Sequence, residues 1–184
     1  MRGFHKSAFL AVFLASVSAF AQNFSSENLA PYIPTPQLIV EKMLQAGHVT
    51  PDDVVYDLGS GDGRIVITAA QKFGAKKAVG VETRPDLVQM AEAQVKKLGL
   101  EDRVTILHDS ALRVDFSAAS VVTMCLLTSS NERLKPNLQK YLKPGSRVVS
   151  NEFPIPGWKP VEVVHVKTGR MDHSVYVYEI GHTK

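Results

Sequence analysis

Residues 54–64 read VVYDLGSGDGR, and these positions decide the fold. Val54–Leu58 is a short apolar run of buried-strand type. It delivers the chain into the turn 59–63, after which a helix opens at Arg64. The glycines of such a turn permit positive φ and let a ligand approach the backbone. The helix behind them presents free amides and the positive end of its dipole. A dinucleotide loop is written G-x-G-x-x-G. Here the third glycine arrives one residue early, Arg64 stands in its place, and the loop reads D-x-G-x-G-x-G. Asp57 precedes the first glycine by two residues, where it repels a pyrophosphate and welcomes a cation.

Two further acids follow at strand ends. Glu82 closes the apolar run 78–82 and lies 19 residues after Gly63. That is close to the ~20-residue spacing at which a carboxylate meets ribose hydroxyls from a neighbouring strand. Asp109 follows the run 104–108, on the same carboxyl rim where open α/β sheets bind ligands. It is placed to accept from an adenine amino group, with Ser110 and Ala111 along the ring. A glycine turn and three successive strand-end acids suit S-adenosylmethionine, whose sulfonium and amino groups are cationic and whose carboxylate suits loop amides.

The rest of the chain alternates strand and helix. Residues 35–47 read as a helix capped by Thr35, with Pro36 in the first turn and Gly47 at the end. The loop helix covers 64–73, and a second covers 85–98. The fourth strand is expected over 120–127. Ser129 and Glu132 read as a capping box for the next helix, and Pro136 is expected to kink or restart it. Strands 146–153, 161–167 and 174–180 complete seven. The expected fold is α/β, a seven-stranded, mostly parallel, doubly wound Rossmann-like sheet with an N-terminal helix. Residues 109–117 are too few for a crossover helix, so that helix is expected to be reduced to a turn or missing.

Residues 1–21 join a basic start to an apolar run at 8–20 and a small-x-small site at 19–21, the layout of a cleavable export signal. Residues 22–30 read as a polar spacer and 31–184 as the domain. The apolar run is shorter than the ~20 residues a membrane span needs, so no span is expected after cleavage. An uncleaved tether is the alternative. The chain of 184 residues has a formal net charge of +3, from 21 basic and 18 acidic residues. Arg2 and Lys6 supply two of those bases, so the domain is near neutral and carries no basic footprint for nucleic acid. The single cysteine, Cys125, excludes an internal disulfide, and no Cys/His spacing fits a metal site.

The chain resembles the class I S-adenosylmethionine-dependent methyltransferases over residues 31–181. More narrowly, PYIPTP (31–36), DLGSGDGR (57–64), VGVE (79–82), LKPGSRVVSNEF (142–153) and PGWKP (156–160) resemble bacterial relatives of the mitochondrial protein-lysine methyltransferases. That resemblance implies a sheet with a reversed last strand. It implies cofactor contacts at Asp57, Gly59, Gly61, Glu82 and Asp109, with Pro34–Thr35 near the methionine end. Ser60, Gly63 and Ser110 complete the expected cofactor set. The fourth strand ends Cys125-Leu126-Leu127-Thr128, where relatives commonly carry an aromatic and a proline.

Asn151 and Glu152 follow the fifth strand and are the candidate catalytic pair, placed to orient an amine or take its proton through water. Tyr32, Thr128 and Trp158 are candidates for the acceptor pocket. The expected acceptor is a protein lysine. A small-molecule N- or O-methyltransferase and a non-catalytic nucleoside binder are the alternatives, and a nicotinamide oxidoreductase is disfavoured by the glycine spacing. The six histidines are scattered and form no triad or metal pattern.

Overall fold

The computed structural model describes residues 29–183; the expected signal and nearly all of the polar spacer lie outside the described residues. Val54–Leu58 forms β1 in the interior of a seven-stranded sheet. On one side it pairs in parallel with β2 (Lys77–Glu82), and β2 with β3 (Val104–His108). On the other it pairs in parallel with β4 (Val121–Met124), and β4 with β5 (Arg147–Asn151). The edge strand β6 (Glu162–Thr168) reaches β5 only through β7 (Met171–Glu179), which runs antiparallel to both. The spatial order is β3-β2-β1-β4-β5-β7-β6, so the order reverses between β1 and β4. Ligands of open α/β sheets bind at that switch point.

Alternation along the strands builds two cores. Val55, Val121 and Val149 point toward α1 (Gln37–Ala46), α2 (Arg64–Lys72) and α3 (Pro85–Lys97). Leu58, Val122 and Val148 point toward α4 (Thr128–Tyr141). As expected, the β3–β4 connection carries no helix. Phe116 fills that space instead, fully buried and edge-on to Tyr141 with ring centroids 5.0 Å apart. Among the described residues no helix is long and apolar enough to cross a membrane.

Four local expectations are corrected. The fourth strand stops at Met124 rather than continuing to 127, because its neighbour β1 ends at Leu58, opposite Met124. Gly59 and Ser60 then turn their amides to the Val81 carbonyl of β2, so no ladder partner remains for residues 125–127. Thr35 does not cap α1. Pro36 holds the N-cap position, and the Thr35 hydroxyl donates to Cys125 Sγ at 3.5 Å. Nor do Ser129 and Glu132 form a capping box, since Leu127 holds the N-cap position, α4 opens at Thr128, two residues earlier than such a box requires, and Glu132 pairs with Lys135 at 3.0 Å. Pro136 does not restart α4, which runs through it from Thr128 to Tyr141. An interior proline costs about 3 kcal/mol, and the fully buried Leu134 and Leu138 on either side offset it at roughly 1.5–3 kcal/mol each.

Asp53 staples the amino edge of the sheet, opposite the ligand rim. Its Oδ1 accepts from Ser120 Oγ at 2.6 Å and from the Arg147 guanidinium, and its Oδ2 accepts from the Thr50 amide at 2.8 Å. Arg147 continues to the Gly47 and His48 carbonyls, both at 2.9 Å, tying the end of α1 to β5. Burial pushes the Asp53 carboxyl up, but the bonds from Ser120, Thr50 and Arg147 outweigh it and hold the group below its ordinary value. Its contribution is therefore present above the usual carboxylate range and lost on acidification. Asp53→Ala is expected to cost about 3 kcal/mol in urea or thermal unfolding, because it removes the anionic partner of Arg147 and the acceptor of Ser120 Oγ and the Thr50 amide. Cofactor affinity, measured by calorimetry, is expected to stay within about twofold of wild type; a large loss would mean that the two edges are coupled.

Candidate active site

The turn after β1 is held in place by the end of β2. Gly59 and Gly61 have φ of +85° and +54°, a region open to glycine and strained for other residues. A Cβ at Gly61 would stand 2.8 Å from the Tyr32 ring, so the residue keeps space as well as conformation. Glu82, 8% exposed, clamps this turn through its carboxylate. One oxygen accepts the Gly61 amide at 2.9 Å, and the other accepts the Thr83 and Arg84 amides at 2.8 and 2.9 Å.

Asp57 lies at the floor of the cleft, 2% exposed, and accepts from Thr123 Oγ1 at 2.7 Å. Burial raises its pKa to about 7; the Thr123 bond opposes this, and the negative charges of Glu82 and Asp62 add to it. A buried carboxylate so disfavoured in its charged form is a strong attractor for a cation. Ser60 lines the same cleft, and its buried hydroxyl has no hydrogen-bond partner among the described residues. Asp109 lies at the far end, half-exposed, its Oδ1 accepting from the Ser110 amide at 2.6 Å and from the Arg113 guanidinium at 2.9 Å.

The chain from Leu29 to Thr35 forms one wall. Arg64 fastens it, donating to the Thr35 carbonyl at 2.7 Å while its other nitrogens grip Asp62 at 2.9 and 2.6 Å. The Tyr32 ring lies over Gly61 beside this pair; burial and the Asp62 charge push its hydroxyl pKa up. The cleft so enclosed opens to solvent, and its mouth and interior together amount to about 730 Å³ of non-atom space.

Asp57, Gly59, Ser60, Gly61, Glu82 and Asp109 thus line one cleft at the switch point, with Tyr32 and Thr35 on its wall. Gly63 and Ser110 do not line it. A Cβ at Gly63 would sit 3.0 Å from that of Ala91, so this glycine lets α2 and α3 approach. Ser110 is fully buried, with its hydroxyl accepting the Leu112 amide at 3.3 Å. Thr128 is the exposed first residue of α4, outside the cleft. Trp158 is buried edge-on against Tyr178 at 5.7 Å and covers the sheet.

Asn151 and Glu152 do not line the cleft themselves; Asn151, the last residue of β5, stands next to the wall residue Cys125 across the β4–β5 register. Its buried Oδ1 has no partner among the described residues. Burial, then the charge of Asp57, push the Cys125 thiol up to about 12, which makes it a packing group and no nucleophile. Glu152 follows with φ +63°, a conformation costing about 1–3 kcal/mol for a residue with a side chain. Its carboxylate meets His173 of β7, which is 5% exposed.

Sequence reasoning missed Asp62, Arg64 and His173. Arg64 stands inside the quoted loop, where its only visible role was to displace a glycine. His173 is 21 residues from Glu152 and is brought to it by the β5–β7 register, for which a single sequence carries no signal.

Comparison with known proteins agrees with this geometry. The family model described as the ANTKMT methyltransferase domain matches residues 57–162, from the floor of the cleft to the start of β6. A protein-lysine N-methyltransferase of Saccharolobus islandicus (strain REY15A) is 54% identical over 154 residues, covering 84% of this chain and 96% of that protein. The adenine nucleotide translocase lysine N-methyltransferase of Mus musculus is 36% identical over 82% of this chain, which spans 63% of that longer enzyme. Among solved structures, an RNA methyltransferase from Salinibacter ruber in complex with S-adenosyl-L-homocysteine superposes with a TM-score of 0.76. It is 42% identical, covering 80% of this chain and 94% of that one.

Proposed function

The chain belongs to the ANTKMT methyltransferase domain family and uses S-adenosylmethionine, and from that membership we propose that it methylates the side-chain amine of a protein lysine. The observation that carries the cofactor assignment in this chain is Asp57, buried at the cleft floor and pushed to about 7 with no cationic side chain on it among the described residues. A cationic ligand group relieves that burial penalty. Asp57 would face the amino end, the Gly59–Gly61 turn would pass along the ligand, Glu82 would take the ribose hydroxyls, and Asp109 would lie toward the base. The 54% identity of the Saccharolobus islandicus enzyme, over nearly its whole length, supports the lysine acceptor.

The cofactor supplies an activated methyl group, so the protein's task is alignment and the removal of one proton. A lysine amine with a pKa near 10.4 costs about 5 kcal/mol to neutralise at pH 7. Burial and a neighbouring positive charge both lower that cost. Asn151 Oδ1, buried and without a partner among the described residues, is the acceptor placed to orient an amine that reaches the Cys125 wall. Glu152 supplies the negative group beside it.

An RNA acceptor is the second reading, raised by the Salinibacter ruber structure. The near-neutral charge of the chain disfavours it, since phosphate contacts require clustered cations. The test is transfer of a labelled methyl group to protein extracts, lysine peptides and RNA, with the modified atom placed by mass spectrometry. Methyl-lysine is expected, and label confined to RNA or small molecules would overturn the acceptor. At saturating cofactor, kcat/KM for the peptide is expected to rise steadily from about pH 6 to 9, as the free amine becomes more abundant. A flat profile would argue against amine deprotonation.

A further inference from the structure

We propose that His173 is a positioning residue for Glu152, holding that carboxylate so that its second oxygen faces the acceptor amine. The inference rests on the lysine reading above and deepens it. Three residues from three segments make a directed chain. His173 Nδ1 meets Glu152 Oε1, and His173 Nε2 meets Thr168 Oγ1 at 2.6 Å. A carboxylate oxygen can only accept, so Nδ1 carries a proton toward it, and in the neutral ring Thr168 donates its hydroxyl proton to Nε2. That order fixes the ring tautomer and leaves Glu152 Oε2 as the oxygen not used by the ring.

Burial gives the chain its direction. The His173 side chain is 6% exposed, whereas that of Glu152 is 35% exposed. The enclosed ring is therefore the fixed member, and the carboxylate is its outward-facing one. Glu152 stands at the carboxyl end of β5, one residue past Asn151, which the β4–β5 register places next to Cys125 of the cleft wall. Its backbone is also fixed. The Glu152 amide donates to the Ser174 carbonyl at 2.8 Å, and φ of +63° turns the residue out of the β5 ladder immediately after Asn151. A strained conformation anchored from both backbone and side chain is the pattern of a residue whose carboxylate must point one way.

In the reaction, the lysine Nζ–C bond forms as the C–S bond of the cofactor breaks, and the electron pair of that bond goes to sulfur. Before that attack the lysine ammonium gives up one proton to Glu152 Oε2, directly or through one water, which frees the Nζ lone pair, and the proton leaves to solvent. His173 holds the base and receives no proton. Oriented general bases contribute about 10²–10⁴-fold, and the orientation given by one hydrogen bond is a fraction of that.

The test is a double-mutant cycle on the full-length protein with a lysine peptide and S-adenosylmethionine. His173→Ala is expected to lower kcat about tenfold to a hundredfold, with cofactor Kd and peptide KM within about twofold of wild type. His173→Asn, whose amide donates from the Nδ1 position, is expected to restore most of the rate. In a Glu152→Gln background, His173→Ala is expected to change kcat less than twofold, because the group it positions is gone. Independently of turnover, ¹⁵N-correlated NMR of the cofactor-free protein is expected to show an Nδ1–H tautomer at His173 in wild type and a shifted ring signal in Glu152→Gln. Multiplicative effects in the cycle, or ring signals indifferent to Glu152→Gln, would overturn the positioning role. Should His173→Ala not fold, the NMR comparison and the His173→Asn rate decide the matter. Wild-type protein that modifies no lysine would overturn the acceptor reading and this inference with it, whereas methyl-lysine with independent effects would overturn this inference alone.

Discussion

Replacing Glu82 by alanine is expected to weaken S-adenosylmethionine binding by roughly a hundredfold to a thousandfold. The carboxylate has two tasks. In the ligand-free protein it accepts the Gly61, Thr83 and Arg84 amides and so shapes the glycine turn. On binding it is the group assigned to the ribose hydroxyls. Hydrogen bonds to a charged group are worth about 1.5–3 kcal/mol each, and each 1.4 kcal/mol is tenfold in affinity. Two such bonds account for most of the loss. The turn adds to it, because without the carboxylate the Gly61 amide loses its acceptor in a largely buried setting. Unfolding is expected to register that part as about 1–3 kcal/mol. Calorimetry with both S-adenosylmethionine and S-adenosylhomocysteine separates the tasks of the acids. The two ligands share the ribose, so Glu82→Ala is expected to weaken them equally. Glu82→Gln, which keeps one acceptor oxygen, is expected to fall between. Unchanged affinity in Glu82→Ala would sink the ribose assignment.

The parts of this site that are legible in the amino-acid sequence are those built from local elements. A parallel strand ends on the same rim as its neighbours, so Asp57, Glu82 and Asp109 reach one cleft wherever three strand ends carry acids in succession. The glycine turn follows directly on β1, and its spacing alone separates it from a dinucleotide loop. β1 and β3 match their expected limits for the same reason, since each is a short apolar run bounded by polar punctuation. What was not legible depends on partners distant in the chain. The end of β4 is set by where β1 stops, and no property of residues 125–127 announces it. Thr35 has the composition of a helix cap, yet its hydroxyl is drawn to Cys125, 90 residues away. Ser110 and Gly63 lie at the right places along the chain but face inward, and Trp158 satisfies the sheet rather than the cleft. His173 is the plainest case. A histidine with no neighbouring motif becomes the partner of Glu152 only through the register of β7, the one reversed strand.

Asp57 makes cofactor affinity a function of pH, and the sign follows from its burial. With its pKa raised to about 7, the carboxyl of the ligand-free protein is mostly protonated at pH 6 and below. Only the ionised form attracts a cation. The α-amino group of the cofactor, with an ordinary pKa near 8, stays charged throughout this window. Affinity is therefore expected to rise about tenfold per unit between pH 5 and roughly pH 7, and to level off there. Binding at pH 6 is expected to release close to one proton, visible as a dependence of the calorimetric heat on the ionisation enthalpy of the buffer. Stability runs the other way. A carboxyl whose folded pKa lies above its unfolded value stabilises the protein below the unfolded pKa, and that contribution is lost as pH rises through the folded one. From 3.8 to about 7, the ligand-free protein is expected to lose about 4 kcal/mol at this residue, and the cofactor restores it by supplying the missing charge. Asp57→Asn removes the conflict. It is expected to melt higher than wild type at pH 8 without ligand, to bind S-adenosylmethionine at least tenfold more weakly, and to show neither proton release nor the rise in affinity with pH. Wild-type affinity that is level from pH 5 to 7 would mean that Asp57 is not where the positive end of the ligand lies. The same carboxylate would then be a buried cost with no partner to relieve it, an arrangement the surrounding negative charges of Glu82 and Asp62 make worse.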